Sequence, residues 1–417
     1  MLILAGCESH GRARLGIKWL PGLDIRTGAL IHDAALVSLD DGSFCAVWCV
    51  TTHAPSQPMP PLAERNNAYI GTFHSTDVWD RVRSLWVADE EYVRLMRTGE
   101  SVVALSMPSC RLGKVTHSLT LDPVAMLRFP RPHTALALDV APFLPDSVIV
   151  AYSAIIPADS NSTRHVIAIG TWSARTREIR LHEVASYPTG PRGPLFIRLR
   201  YWAGSPVIVA NHATNGEGTG HTLLSAFVRE PHGAWSATTL ALARRDSLYG
   251  FDCVEADTTL RVFLHRNEGL EMFTLNSGGV WLSPQLCKPV NESRLRPGTM
   301  PAPPVAVRME DGTIGVVWVI PSDHRWDITN VLQYLAFTQP TDVIRQHVAW
   351  STVNRSGALD SVAIDLSKKS GLGAREDVSA TAGSSTRDGA AFLIATHEYV
   401  GGKQGYVDRL RIAKYNP

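Results

Sequence analysis

The chain has almost no net charge, no long apolar run and no Cys-x-x-Cys pair, and each shortage excludes something. Forty basic residues against thirty-nine acidic ones leave a formal charge of +1. That balance gives no electrostatic footprint for nucleic acid or an anionic membrane surface. No uncharged apolar stretch reaches the roughly 18 residues of a spanning helix. The six cysteines contain no Cys-x-x-Cys spacing for zinc or redox chemistry, so most are expected to be buried small hydrophobes. Phosphate-loop, dinucleotide and Gly-x-Ser-x-Gly signatures are also missing, and no cofactor is expected. What is present is 45% hydrophobic and only 19% charged in 417 residues, enough for a large core and too apolar for disorder.

The organising feature is a repeated hairpin. Residues 35–50 and 305–320 each read as an apolar strand, an acidic residue plus Asp-Gly, and a second apolar strand carrying Trp48 or Trp318 at one fixed place. Asp-Gly between such runs is a strong hairpin signal because glycine accepts positive φ. Asp41 and Asp311 stand 270 residues apart, five intervals of about 54, which lies near the repeat length of propeller blades. Asp41, Asp311 and Asp388 are accordingly turn residues, and Trp48, Trp318 and Tyr152 belong between blades.

The rest divides into further units. The first hairpin continues through 69–73 and 79–87. A less clear second unit holds 101–107 and 115–121, preceded by the most helix-like stretch, 89–97. The third holds 134–140, 148–154, 166–172 and 178–184, and the fourth 195–202, 207–211, 223–229 and 235–240. The fifth holds 248–254, 260–265, 270–274 and 280–286, the sixth 305–309, 313–320, 331–338 and 343–350. The last has only three strands, 358–366, 390–396 and 406–413, while the apolar run 15–20 is unassigned, so closure by pairing the two termini is expected. The reading is all-β, a single propeller over 15–417 of about seven four-stranded blades, with six as the alternative. Two insertions interrupt it, a Pro-rich stretch at 52–65 and a Gly/Ser/Ala-rich, mobile one at 368–387.

Two resemblances add to this. Leu4-Ala5-Gly6-Cys7 resembles the lipobox of bacterial lipoproteins, which implies lipidation of Cys7, a tether over 1–14 and an extracytoplasmic place in the bacterial cell envelope. Thr274-Leu275-Asn276-Ser277-Gly278-Gly279-Val280-Trp281 resembles the Asp-box (BNR repeat) turn of sialidase-like propellers, with Asn276 where that family has Asp. The resemblance implies a propeller with the turn as a structural element. The Arg-Ile-Pro motif that would anchor the family's arginine triad is missing, so its catalytic set is not carried over.

Loops leaving each second strand of a propeller meet on one face around the central channel. Here they hold His53, Arg164, Asn211, His212, His265, Arg266, Asp323, Arg325, Trp326, His397 and Tyr399. Three readings stay open: solvated loops; a face for a glycan or protein ligand, with Trp326 and Tyr399 as stacking platforms; or an active site using His and Tyr, or a carboxylate pair. No close-spaced metal motif is present. Arg198 and Arg200 alternate on an inner strand beside Trp202, and charge facing a channel needs a partner or water. The leading expectation is a lipid-anchored extracytoplasmic binding propeller. The alternatives are a sialidase-like or lyase-like carbohydrate enzyme and a scaffold subunit of an envelope assembly, with membrane contact only through the anchor and no nucleic acid.

Overall fold

The computed structural model describes residues 16–20, 22–25, 29–52, 66–74, 78–87, 92–107, 111–127, 134–144, 147–159, 162–173, 178–179, 181–188, 196–213, 222–230, 232–242, 250–266, 269–289, 303–321, 346–366, 376–399 and 406–416. Among them no helix occurs, and the strands form seven sheets arranged as the blades of one propeller. Blade 1 comprises Ala29–Ser38, Phe44–Thr52, Asn66–Phe73 and Trp79–Val87. Blade 2 comprises Tyr92–Thr98, Ser101–Met107, Arg111–Val115 and Leu121–Leu127. Blade 3 comprises Thr134–Leu144, Ser147–Asp159, Ser162–Ser173 and His182–Pro188. Blade 4 comprises Phe196–Trp202, Ser205–Ala213, Thr222–Arg229 and Trp235–Leu242. Blade 5 comprises Phe251–Ala256, Thr259–Arg266, Gly269–Leu275 and Gln285–Cys287. Blade 6 comprises Val305–Arg308, Ile314–Pro321, Gln346–Val353 and Ile364–Asp365.

Blade 7 closes the ring. Its strands Glu376–Thr386, Gly389–Tyr399 and Tyr406–Tyr415 are completed by Ile17–Trp19, which pairs antiparallel with the last of them, Ile17 opposite Tyr415 and Trp19 opposite Ala413. Leu20 N–H then donates to Ile412 O at 2.8 Å, and Leu23–Ile25 pairs with the same strand. The expected pairing of the termini is therefore the observed one, and it leaves no open sheet edge between first and last blades.

Each blade is covered on both faces, so the second strands are buried nearly throughout, Ser101–Met107 at every position, whereas an inner strand such as Phe196–Trp202 alternates between buried and part-exposed positions. Large aromatics fill the seams. Trp48 lies between blades 7 and 1, Tyr152 between blades 2 and 3, and Trp318 between blades 5 and 6, each about 1% exposed. Trp48 meets Trp79 edge-on at 5.8 Å, and Trp350 meets Phe392 the same way at 5.3 Å. Cys45, Cys49, Cys253 and Cys287 are buried thiols outside any disulfide.

The twin hairpins have the same turn. Leu39 N–H donates to Ser43 O and Gly42 N–H to Leu39 O; Met309, Thr313 and Gly312 repeat both bonds. Gly42 and Gly312 take φ of 78° and 83°. Asp41 and Asp311 each accept from the backbone N–H two residues on, at 2.9 Å. Those bonds, led by the Ser43 and Thr313 hydroxyls, hold both carboxyls below the usual range. The outer turn at Asn276 follows one plan with the turns at Thr116, Glu230 and Asn354, in which residue i bonds i+3 and i+4. Asn276 Oδ1 accepts from Gly278 and Val280 N–H at 3.0 Å, and Trp281 Nε1 donates to Thr238 O of blade 4 at 3.3 Å.

Five expectations need correction. Residues 92–98 form the inner strand of blade 2, because packing against blades 1 and 3 outweighs a helix-like composition. The third strand of blade 6 is Gln346–Val353, and 331–338 lies outside the described residues. Its outer strand lies within 358–366, a stretch expected in the last unit. Glu376–Thr386, expected to be a mobile insertion, is the inner strand of blade 7. In blade 3, Glu178–Ile179 leaves its own sheet and adds a parallel strand to blade 2, Met126 opposite Glu178.

Candidate functional site

The seven inner strands enclose a central channel with a cavity of about 620 Å³. It has two unlike walls. Blades 1 to 5 supply a chain of carboxylates and guanidiniums, whereas blades 6 and 7 supply Val305, Val307 and the small residues Ser379–Ser385, with Arg308 as their one cation among the described residues. Small side chains are required there: a Cβ on Gly383 would lie 2.6 Å from Val307 Cγ2.

The charged chain runs Asp33, Arg94, Asp139, Arg200, Asp252, Arg198. Arg94 Nη1 donates to Asp33 Oδ2 at 2.8 Å, and its Nε lies 3.8 Å from Asp139 Oδ1. Arg200 Nη1 bonds Asp139 Oδ2 at 3.1 Å, and Nη2 bonds Asp252 Oδ1 at 2.7 Å. Arg198 Nε reaches the same Asp252 oxygen at 3.3 Å. Three arginines thus meet three aspartates.

Each aspartate also ties one blade to the next. Asp33 accepts from Val93 N–H at 2.7 Å, Asp139 from Leu199 N–H at 2.8 Å, and Asp252 from Ala306 N–H at 3.0 Å. The arrangement therefore repeats every second blade, and the Asp–Arg separation is 61 residues in both Asp33–Arg94 and Asp139–Arg200. Burial opposes the charge on Arg94 and Arg200, but the surrounding carboxylates outweigh it and their pKa values are raised. The side chains of Arg94, Arg198 and Arg200 keep 22%, 13% and 27% exposure, so they still present N–H groups to the lumen.

Glu255 differs from the three aspartates. It lines the same channel half-buried, and burial raises its pKa, an effect partly offset by Arg308 and Arg200. The neighbouring Cys253 thiol is pushed up to about 12 by burial, which makes it a poor nucleophile.

The residues expected to form a loop-face site are placed variously. Asn211 is buried, its Oδ1 accepting from Phe196 N–H at 3.1 Å at the start of blade 4. His265 is buried in the seam of blades 5 and 6, its ring 5.4 Å from that of Trp318. Arg164 bonds Glu183 and Ser186 on its own blade, at 2.9 and 3.0 Å, and Arg266 bonds Glu271 at 2.7 Å. His212, His397 and Tyr399 lie on second strands of blades 4 and 7. His53, Asp323, Arg325, Trp326 and Cys7 lie outside the described residues. Among the described residues no three His, Cys, Asp or Glu side chains are grouped to hold a metal ion.

Of the channel groups, the sequence pointed only to Arg198 and Arg200. The signal for the others is a lone Asp inside an apolar strand, as in Ala137-Leu138-Asp139-Val140, recurring with an Arg one blade later.

No protein-family model and no curated protein matches the chain. Solved structures do resemble it. A protein of unknown function from Dyadobacter fermentans matches with 8% identity and a TM-score of 0.51, over 96% of this chain and 100% of that one. An α-L-arabinanase of Penicillium chrysogenum, complexed with arabinobiose, matches with 13% identity and a TM-score of 0.44, over 94% and 98% of the two chains. A sialidase of Trypanosoma rangeli in complex with the inhibitor DANA matches with 10% identity and a TM-score of 0.42, over 93% of this chain and 55% of the sialidase. At such identities the likeness to the Dyadobacter protein is one of fold.

Proposed function

We propose that this propeller binds a neutral saccharide in its central channel. The observation that carries the reading is the charge-balanced alternation of Asp33, Arg94, Asp139, Arg200, Asp252 and Arg198 facing a wall of small and apolar residues. Neighbouring sugar hydroxyls each offer a donor and an acceptor. A carboxylate accepts from the donor and a guanidinium donates to the acceptor, so an alternating wall satisfies adjacent hydroxyls in register. The opposite wall suits the C–H face of a sugar ring. Because the charges cancel, the wall gives no preference to an ionic ligand over a neutral one.

A glycan array tests this with wild type and Arg198→Met. Arg198 is held by one long bond to Asp252 and one to its own strand, so the variant keeps its fold. Retention of neutral oligosaccharides by wild type, weakened about tenfold in the variant, is expected for a lost charged hydrogen bond. Failure to retain any neutral glycan, or equal retention by the variant, refutes the reading.

A second reading, a carbohydrate-active enzyme, is favoured by Glu255, a carboxyl with a raised pKa inside the same channel and so suited to act as a general acid. Turnover of array-selected glycans, lost in Glu255→Gln while binding persists, would support it.

The proposed setting is the bacterial cell envelope, with lipid on Cys7. Ile17 lies opposite Tyr415, at the end of the ring where the inner strands finish. An anchor upstream would hold that lower face toward the membrane and turn the opposite mouth of the channel outward. Mass spectrometry of protein from its native membrane should find diacylglycerol on Cys7; an unmodified Cys7 rules the anchor out.

A further inference from the structure

A second feature lies outside the channel. Arg261, near the start of the second strand of blade 5, stands opposite Val254 and Thr274. It is 9% exposed, and its Nη1 is buried with no hydrogen-bond partner. The guanidinium packs on the outer turn of blade 6, where a Cβ on Gly357 would lie 2.9 Å from Nη2. Gly357 also takes a φ of 90°. Gln285 frames the turn, donating to Gly357 O at 3.1 Å and accepting from Leu359 N–H at 2.8 Å.

Asp257 attracts Arg261 and Arg308 repels it, while Arg308 is itself paired with Asp257 and faces Glu255. Among the described residues no carboxylate bonds Arg261 Nη1. Burial is the main cause that lowers the Arg261 pKa, as expected for a cation out of water without a partner.

We infer that Arg261, with Arg308 at its rim, forms a binding site for a small phosphate-type oxyanion at the lower-face seam of blades 5 and 6. The planar fork of guanidinium N–H groups matches the spacing of two oxyanion oxygens. The ligand supplies the anionic acceptor that the Arg261 guanidinium lacks. Asp257, whose side chain is 82% exposed, swings outward as Arg308 exchanges it for the anion. The site needs no sugar: Arg261, which carries it, lies outside the channel lining, whereas Arg308 borders both.

Thermal unfolding of the full chain in inorganic phosphate, with chloride adjusted to constant ionic strength, provides the test. Wild type is expected to show a saturable rise in Tm. Arg261→Met should abolish it, and Arg308→Gln should weaken the apparent affinity about tenfold. Without phosphate, Arg261→Met should be at least as stable as wild type, because it removes an uncompensated charge. No saturable response in wild type, an undiminished response in Arg261→Met, or a phosphate-independent loss of stability in that variant would each overturn the site.

Discussion

Removing the carboxylate of Asp139 should expose how far the ring depends on its channel. Asp139 is 4% exposed, and its Oδ2 accepts from Leu199 N–H at 2.8 Å and from Arg200 Nη1 at 3.1 Å. In Asp139→Ala neither arginine is stranded, because Arg94 keeps Asp33 and Arg200 keeps Asp252. What is stranded is the N–H of Leu199, a residue with no exposed surface. An orphaned buried donor costs about 1–3 kcal/mol, and a lost hydrogen bond to a charged group about 1.5–3 kcal/mol. The total is about 2.5–6 kcal/mol. Asp139→Asn keeps an oxygen for Leu199 N–H, so it should recover the first part and lose only the second. Urea unfolding monitored by tryptophan fluorescence separates the two, provided the slope with denaturant is unchanged. A cost below about 1 kcal/mol for Asp139→Ala, or equal costs for Ala and Asn, would show that the blades are not latched through this residue.

Three further outcomes are expected. Burial pushes the His265 pKa down to about 3 from an ordinary 6.5, so the unfolded chain takes up the proton first as pH falls. Its contribution is complete above about pH 6.5 and is lost toward pH 3 at up to about 1.4 kcal/mol per unit; His265→Phe should flatten that acid limb in Tm measurements, and an unchanged limb would refute the assignment. A Cβ on Gly315 would meet Trp350 Cη2 at 2.3 Å, whereas one on Gly71 would have nothing nearer than 3.1 Å; Gly315→Ala should therefore cost about 1–3 kcal/mol and Gly71→Ala clearly less in the same urea assay. Leu20→Asp puts a charge into the core seam of blade 7, where Leu20 is 4% exposed; it should cost at least about 3 kcal/mol and open the ring to proteolysis at the strand Tyr406–Tyr415, an effect absent if the terminal strand is dispensable.

Where the chemistry is local, the sequence was legible. The Asp-Gly hairpins at Asp41 and Asp311 were readable because glycine at φ near 80° and an aspartate bonding two residues on need no distant partner. Trp48 and Trp318 followed from their fixed offset to those turns. Glu376–Thr386 was misread because its serines, alanines and Gly383 look like a linker, yet they are small because the inner strand is crowded by Val305 and Val307. Residues 92–98 looked helical because nothing local records that both of their faces are covered by neighbouring blades. The site was harder. Asp33, Asp139 and Asp252 are single acids in apolar runs, and what gives each a role is an N–H or guanidinium on another blade.

Hydrogen exchange of the backbone with and without an array-selected neutral oligosaccharide tests the channel assignment most directly. The account predicts added protection in the inner strands Phe196–Trp202 and Phe251–Ala256, which carry Arg198, Arg200 and Asp252, with the outer strands unchanged. Protection confined to outer strands or to the turns at Asn276 and Asn354, with the inner strands unaltered, would contradict it.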